Sequence, residues 1–488
     1  MKKLKIQFKN IVLFTAIILI ISCAVNPVTG KKQLMFMSEK QEVELGKQYD
    51  PEVIATFGEY KNTELLAFVQ EKGTEMGKIS HRPKIEYHVK ILDSPVINAF
   101  AVPGGYIYLT RGILAQFNNE AELTGVLAHE MGHITARHTA SQQSKQQMGQ
   151  LLLIGGMMAS KEFQKYAEYA MQGMQLLFLS FSRDDEREAD RLGVEYSSKI
   201  GYDAHKMADF FQVLMKMNLV SDQAGIPTFM STHPDPGDRL NSVNQKATEW
   251  QEKLNLPGYK VNAESYLQMI DGMIYGEDPR QGYVADNTFY HPDLKFQFSV
   301  PDGWQLENSP LQVRMAPKDG KALIIFAISP QKTLEEAAKS SMDQLGLTLT
   351  ENKKINLNGM PALVTISKQV SQDEATGQQS TIMVLSYFID YNSTFYVFHG
   401  VSAEADFSSL LPVMGIPMEN FNKLTDPSKL NVKAKKVLVK KVHSSGTLAD
   451  AFQYFGVQQK QLDEFALLNN MELTDQVKAG KLIKIIGE

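Results

Sequence analysis

The sequence predicts a multi-domain chain: a mainly α domain with a small β-hairpin sheet, then an α+β domain on an antiparallel sheet, then a small βααβ module. Three observations carry this. Apolar residues recur at three- and four-residue spacing through much of 38–275, the period of helices packed on one face. Strict alternation takes over after residue 286, as in Leu294-Lys295-Phe296-Gln297-Phe298-Ser299-Val300, the period of a half-buried strand. A Gly-, Pro- and Asp-rich stretch over 277–286 and a lysine run over 429–441 mark the breaks. The expected units are 1–22, 23–275, 287–425 and 442–487.

Residues 1–22 stand apart from the fold. Lys2, Lys3, Lys5 and Lys9 precede an apolar run over 11–21, about the length of a signal h-region and short of the roughly twenty residues of a membrane span. Cys23 follows, the only cysteine in the chain. Ile20-Ile21-Ser22-Cys23 resembles a bacterial lipobox. That resemblance implies a lipoprotein signal peptide over 1–22, cleavage before Cys23 and a lipid on its sulfur. Ala24, rather than Asp, favours the periplasmic face of the outer membrane. The alternative is an uncleaved N-terminal anchor; both readings put the bulk of the chain outside the inner membrane. A lone cysteine allows no intrachain disulfide, so packing must hold the fold. Without the four lysines of 1–22, which hold no acid, the net charge of −5 becomes −9. Such a surface gives no support to nucleic-acid binding.

Residues 24–37 read as an extended arm and 38–80 as helical. Residues 87–92 alternate as a strand. Pro103-Gly104-Gly105 sits between two short apolar runs, predicting a hairpin over 98–109. Helices fit 111–117 and 120–147. Residues 148–181 are apolar and methionine-rich, which suggests core, a mobile cover or a membrane-touching patch. Helices follow over 183–219, 237–253 and 259–275, with a break at Thr232-His233-Pro234-Asp235-Pro236. In the second unit, strands fit 322–329, 353–358, 361–370, 380–390 and 394–402, and helices 333–346 and 404–424. Its start loosely resembles a PsbP- or Mog-like domain. Residues 429–441 read as a solvated basic spacer. Residues 442–487 resemble a LysM module, which implies a peptidoglycan contact. No thirty- to forty-residue period repeats.

The chemistry is concentrated in His129-Glu130-Met131-Gly132-His133. On a helix, residues four apart share a face, so two imidazoles can hold one metal ion. Glu130 stands beside it, where a carboxylate can take a proton from water. The plain alternative is a surface helix with two solvated histidines. Catalytic zinc takes three protein ligands and keeps one position open. His138 fails as the third: at about 100° per residue it lies roughly 140° from His133 and 180° from His129, so it should face solvent. Glu186 and Asp190 share a helical face, a repulsion of a few tenths of a kcal/mol unless a cation is near. Glu186 could be the third ligand, with Asp190 accepting the free N–H of a ligand histidine. Equally, this could be an exposed helix laced by Arg183, Arg187 and Arg191.

A wider set of residues settles that choice. Asn98-Ala99-Phe100 with Pro103-Gly104-Gly105, the H-E-x-x-H, Ser182-Arg183-x-x-Glu186-x-x-x-Asp190, and His233-Pro234 before Arg239 together resemble the gluzincin metallopeptidases of HtpX, BepA and the CaaX prenyl proteases. The resemblance covers about residues 26–275. It implies a zincin-type domain with one zinc ion held by His129, His133 and Glu186, Glu130 as general base and a catalytic role for Asp190. Related lipoproteins often carry helical repeats after the peptidase domain, and this chain does not. Arg239 and His233 are the candidates for stabilising the oxyanion. His233 could instead be a capping residue, or occupy the open zinc position until its loop moves. The hairpin strand ending in Tyr106-Ile107-Tyr108-Leu109 would pair with an extended substrate. The expected activity is endoproteolysis of unfolded or damaged cell-envelope polypeptides. The rivals are a non-catalytic, metal-stabilised chaperone or adaptor and a peptidoglycan-associated peptidase.

Overall fold

The computed structural model describes residues 23–144, 181–220, 228–233, 236–372 and 379–488. Residues 1–22, expected to be a signal peptide, and nearly all of the methionine-rich stretch lie outside the described residues. No described helix is long and apolar enough to cross a membrane.

The arm opens with two short antiparallel strands, β1 (Cys23–Val25) and β2 (Lys32–Leu34). Asn26 makes the turn between them, its Oδ1 accepting from the backbone N–H of Val28 and Thr29. The expected helical region over 38–80 is two helices. Glu39–Phe57 starts at a Ser38 capping box and Thr63–Ile79 at an Asn62 cap. A three-stranded sheet follows: β3 (His88–Leu92), β4 (Ala99–Val102) and β5 (Tyr106–Thr110). Gly104, at φ 87°, turns β4 into β5 where an added Cβ would come within 2.5 Å of the Glu42 carbonyl oxygen. The helix carrying the H-E-x-x-H motif, Glu120–Thr135, starts at an Asn119 cap. Its buried side joins Leu65, Val69, Ile107, Leu127, Leu192 and Phe210 in one core.

That helix ends twelve residues before the expected 147. Arg137 takes a left-handed φ of 61°, and a new helical run begins at 138. Long-range contacts fix this break: the buried Arg137 guanidinium pairs with Glu42 and donates to the Met37 carbonyl at 2.7 Å.

The second unit holds a seven-stranded, wholly antiparallel sheet. Its long strand Gln379–Tyr391 is buried through six consecutive positions. The cause is a helix on each face. Alternate residues Leu385, Tyr387 and Ile389 share a core with Phe407 and Met414 of helix Glu404–Glu419, while Phe388 packs with Ala337 and Ala338 of helix Leu334–Leu345.

The basic spacer is a correction. Lys436–Lys441 is a strand, pairing antiparallel with Leu482–Gly487 around helices Leu448–Tyr454 and Leu462–Leu468. Its N-terminal half also bonds to the end of the first domain: Gly272 N donates to Val437 O, Val437 N to Met273 O, and Tyr275 N to Lys435 O, each at 2.8 Å. Val437 joins the first domain's core. Three consecutive apolar residues, Val437, Leu438 and Val439, lie there between two lysine pairs, so a short strand hides inside a basic composition. Lys484, 0 % exposed, crosses the same junction. Its Nζ donates to the carbonyls of Ala115, Gln116 and Phe117 at 2.8, 3.2 and 2.9 Å, at the C-terminus of helix Arg111–Gln116. Burial pulls its ammonium pKa down, and burial pushes nearby Glu122 up.

Lys484→Met strips three buried carbonyls of their donor. It should cost on the order of 3 kcal/mol and unfold the first domain and the C-terminal segment in one transition. Denaturant melts followed by one probe in each part test this. Two separate transitions in the wild type would mean that the parts fold independently.

Candidate metal centre

Two helices cross here at glycines. A Cβ on Gly132 would sit 3.0 Å from Ala189 Cα, and one on Gly193 3.1 Å from His129 N. Close backbone approach lets Glu186, in the first turn of helix Arg183–Lys199, reach the imidazoles of His129 and His133. Ser182 caps that helix in a capping box with Asp185. A fourth donor comes from His233, just past the short helix Thr228–Thr232.

All four donors are buried, and their distances fit one ion. His133 Nε2 lies 3.1 Å from His129 Nε2, and His233 Nδ1 lies 3.3 Å from His129 Nε2. Glu186 Oε1 is 2.9 Å from His233 Nδ1 and 3.4 Å from His133 Nε2. A tetrahedral ion with bonds near 2.0–2.1 Å separates its ligand atoms by about 3.3 Å. These residues could therefore hold a zinc-sized cation.

The surrounding charges are arranged around that cluster. Asp190 Oδ1 lies 3.0 Å from His129 Nδ1, off the straight hydrogen-bond line. Arg239 supplies the cation that the Glu186–Asp190 pair needs: Nε and Nη2 each donate to Asp190 at 2.7 Å, and Nη1 lies 2.9 Å from Glu186 Oε2. Although burial pushes both carboxyls up, His233 and Arg239 hold Glu186 well below its ordinary range, and Arg239 lowers Asp190. Arg239 Nη1 also donates to the His233 carbonyl at 3.2 Å. The oxyanion role expected for Arg239 thus meets a guanidinium already engaged at all three nitrogens. His233, the other expected oxyanion donor, instead points Nδ1 into the donor cluster and Nε2 toward Glu130 Oε1 at 3.5 Å. Glu130 is buried with neither carboxylate oxygen hydrogen-bonded, and burial raises its pKa.

His138 is a second correction. It does not face solvent but lies buried against the cluster, its Nδ1 3.0 Å from His133 Nδ1. The helical extrapolation failed because the chain turns at 136–137. Phe181 stacks on His133 and Phe229 on His233, at centroid distances of 4.0 and 4.5 Å.

The strand order β3-β5-β4 corrects the expected edge strand too. β5, which contains Tyr106–Leu109, is central, parallel to β3 and antiparallel to β4. The strand beside the metal helix with one side unpaired among the described residues is β4. Asn98, immediately before it, is fully buried with both amide atoms unpartnered.

An H-E-x-x-H helix joined by a glutamate from a second helix defines a metallopeptidase-type domain of the gluzincin kind. Residues 65–247 match Peptidase family M48. It is similar to the beta-barrel assembly-enhancing protease of Yersinia pestis, 28% identical over 313 residues, covering 62% of this chain and 59% of that protein. The protein of that name in Escherichia coli is 27% identical over 231 residues, covering 46% and 47%. The mitochondrial metalloendopeptidase OMA1 of Arabidopsis thaliana is 31% identical over 177 residues, covering 36% and 34%. The chain spans about half the length of the curated relatives it matches. Among solved structures, the PsbP protein of Synechocystis is 12% identical with a TM-score of 0.23, covering 28% of this chain and 91% of that one.

Gly193→Val pushes a side chain against the His129 backbone. Metal affinity, measured by competition with a chromophoric chelator, should fall at least tenfold, as for loss of a ligand-orienting contact. Wild-type affinity would show that the glycine crossing does not set the donor geometry.

Proposed function

We propose that this protein is a zinc-dependent endopeptidase, tethered to a membrane through lipidated Cys23, that cleaves unfolded or damaged cell-envelope polypeptides. The observation that carries the activity is the convergence of His129, His133 and Glu186 beside a buried carboxylate, Glu130, whose oxygens accept no hydrogen bond. Zinc held by those three residues supplies Lewis acidity toward water and a peptide carbonyl. Glu130 takes the proton of the attacking water and hands it to the leaving amine. Asp190 holds His129 in orientation, and Arg239 fixes Asp190 and Glu186 in place, as positioning residues.

His233 makes the described geometry a resting one. With four protein donors around one point, no place is left for water, as in closed structural sites. Turnover would then require His233 to move away from the other three donors. Its expected role as an oxyanion donor gives way to that of a removable fourth ligand.

Substrate backbone would add along β4, where main-chain pairing gives affinity with little sequence preference. The unpartnered Asn98 amide at its start would bond the same main chain. Preference for extended, unfolded chains follows from that mode. Two relatives are named for enhancing β-barrel assembly, and such barrels belong to bacterial outer membranes. That supports an envelope location and unassembled envelope proteins as substrates.

Glu130→Gln should retain metal yet lose at least about a hundredfold in casein cleavage, the scale of general-base catalysis. Undiminished cleavage with zinc present rejects Glu130 as the base.

A further inference from the structure

His133 has a buried neighbour that nothing in the metal-binding pattern requires. Its Nε2 faces the donor cluster, so its Nδ1 carries the ring proton when Nε2 binds an ion. That Nδ1 lies 3.0 Å from His138 Nδ1, which must then be an acceptor. A neutral imidazole accepting at Nδ1 carries its proton on Nε2. His138 Nε2 in turn lies 3.2 Å from Glu188 Oε2, which also accepts from Asn26 Nδ2 at 3.2 Å. Every bond in this series has one donor and one acceptor, so the chain has a single direction from the ligand to a carboxylate.

The far end is the unexpected part. Asn26 is the turn residue between β1 and β2 and is itself buried. The arm touches the break after the metal helix at two further points: Gln33 Nε2 donates to the Ala136 carbonyl at 3.4 Å, and Phe36 N to Ser144 Oγ at 3.0 Å. The break that brings His138 inward is thus made against the arm and the helix that follows it.

We propose that His138 is a positioning residue for the metal centre, and that His138, Glu188 and Asn26 make the N-terminal arm part of the support that orients His133. This rests on the reading of His129, His133 and Glu186 as metal ligands. Its consequence is that seating of the arm, three residues from Cys23, sets how firmly the metal is held. Glu188 has other neighbours, with Arg191 Nη2 at 3.6 Å from its other oxygen, so it keeps a charge partner when Asn26 is lost.

The test uses the full purified chain, stripped of metal and titrated with Zn²⁺ against a chromophoric chelator and with Co²⁺ by visible absorption. His138→Phe, which keeps the ring but removes both nitrogens, should weaken zinc about 10- to 100-fold and alter the cobalt bands. His138→Asn, which keeps an acceptor at the Nδ1 position, should recover part of the loss. Asn26→Ala and Glu188→Gln lie farther from the ligands and should each weaken zinc by a few-fold. They carry the test if His138→Phe does not fold. Wild-type affinity and spectrum in folded His138→Phe, or in both outer variants, overturn the proposal. A wild-type chain that binds neither ion overturns the metal reading itself.

Discussion

The site depends on one steric constraint: two helices cross so closely that a Cβ at Gly132 or Gly193 would press on the facing backbone at 3.0 or 3.1 Å. The metal helix alone offers two imidazoles on one face. The acidic helix alone would suffer repulsion between Glu186 and Asp190, one turn apart. Brought together, each relieves the other. The imidazoles face the carboxylates, and Arg239 from helix Pro236–Leu254 places its guanidinium against both acids. A buried charge left alone here would be costly, so this set forms as a unit or not at all.

Which parts were legible in the sequence follows from the range of the interactions that fix them. His129, Glu130 and His133 are four-residue geometry on one helix. Glu186 and Asp190 are the same geometry on another, and their like charge pointed to a missing cation. His138 was illegible because its position depends on Arg137 meeting Glu42, ninety-five residues away. The order of β3, β5 and β4 was illegible for a related reason. A hairpin fixes which two strands pair, but not which of them receives a third.

Composition misled in the lysine run. Lys436, Lys440 and Lys441 make a strand look like a linker, although Val437 and Val439 face the first domain. A contact of the C-terminal segment that crosses to the first domain is also made by a lysine. Lys484 buries its stem and binds three carbonyls at a helix C-terminus, where the helix dipole favours a cation. The C-terminal segment, with a core of its own, is thereby anchored to the first domain, and the seven-stranded unit lies between the two in the sequence.

The donor cluster and the open edge of β4 are mechanically linked. His233 N is bonded to Phe229 O, and Phe229 N to Ile97 O at 3.1 Å. Ile97 directly precedes Asn98 and β4. A peptide pairing along β4 would arrive beside the segment that carries His233. Arg239 holds the His233 carbonyl through Nη1 alone, and its two bonds to Asp190 do not involve that segment. Withdrawing His233 therefore breaks one arginine contact and leaves the support of His129 intact. A fourth donor just past a short, separately tied helix can leave while the three others stay held, whereas one on either crossing helix could not.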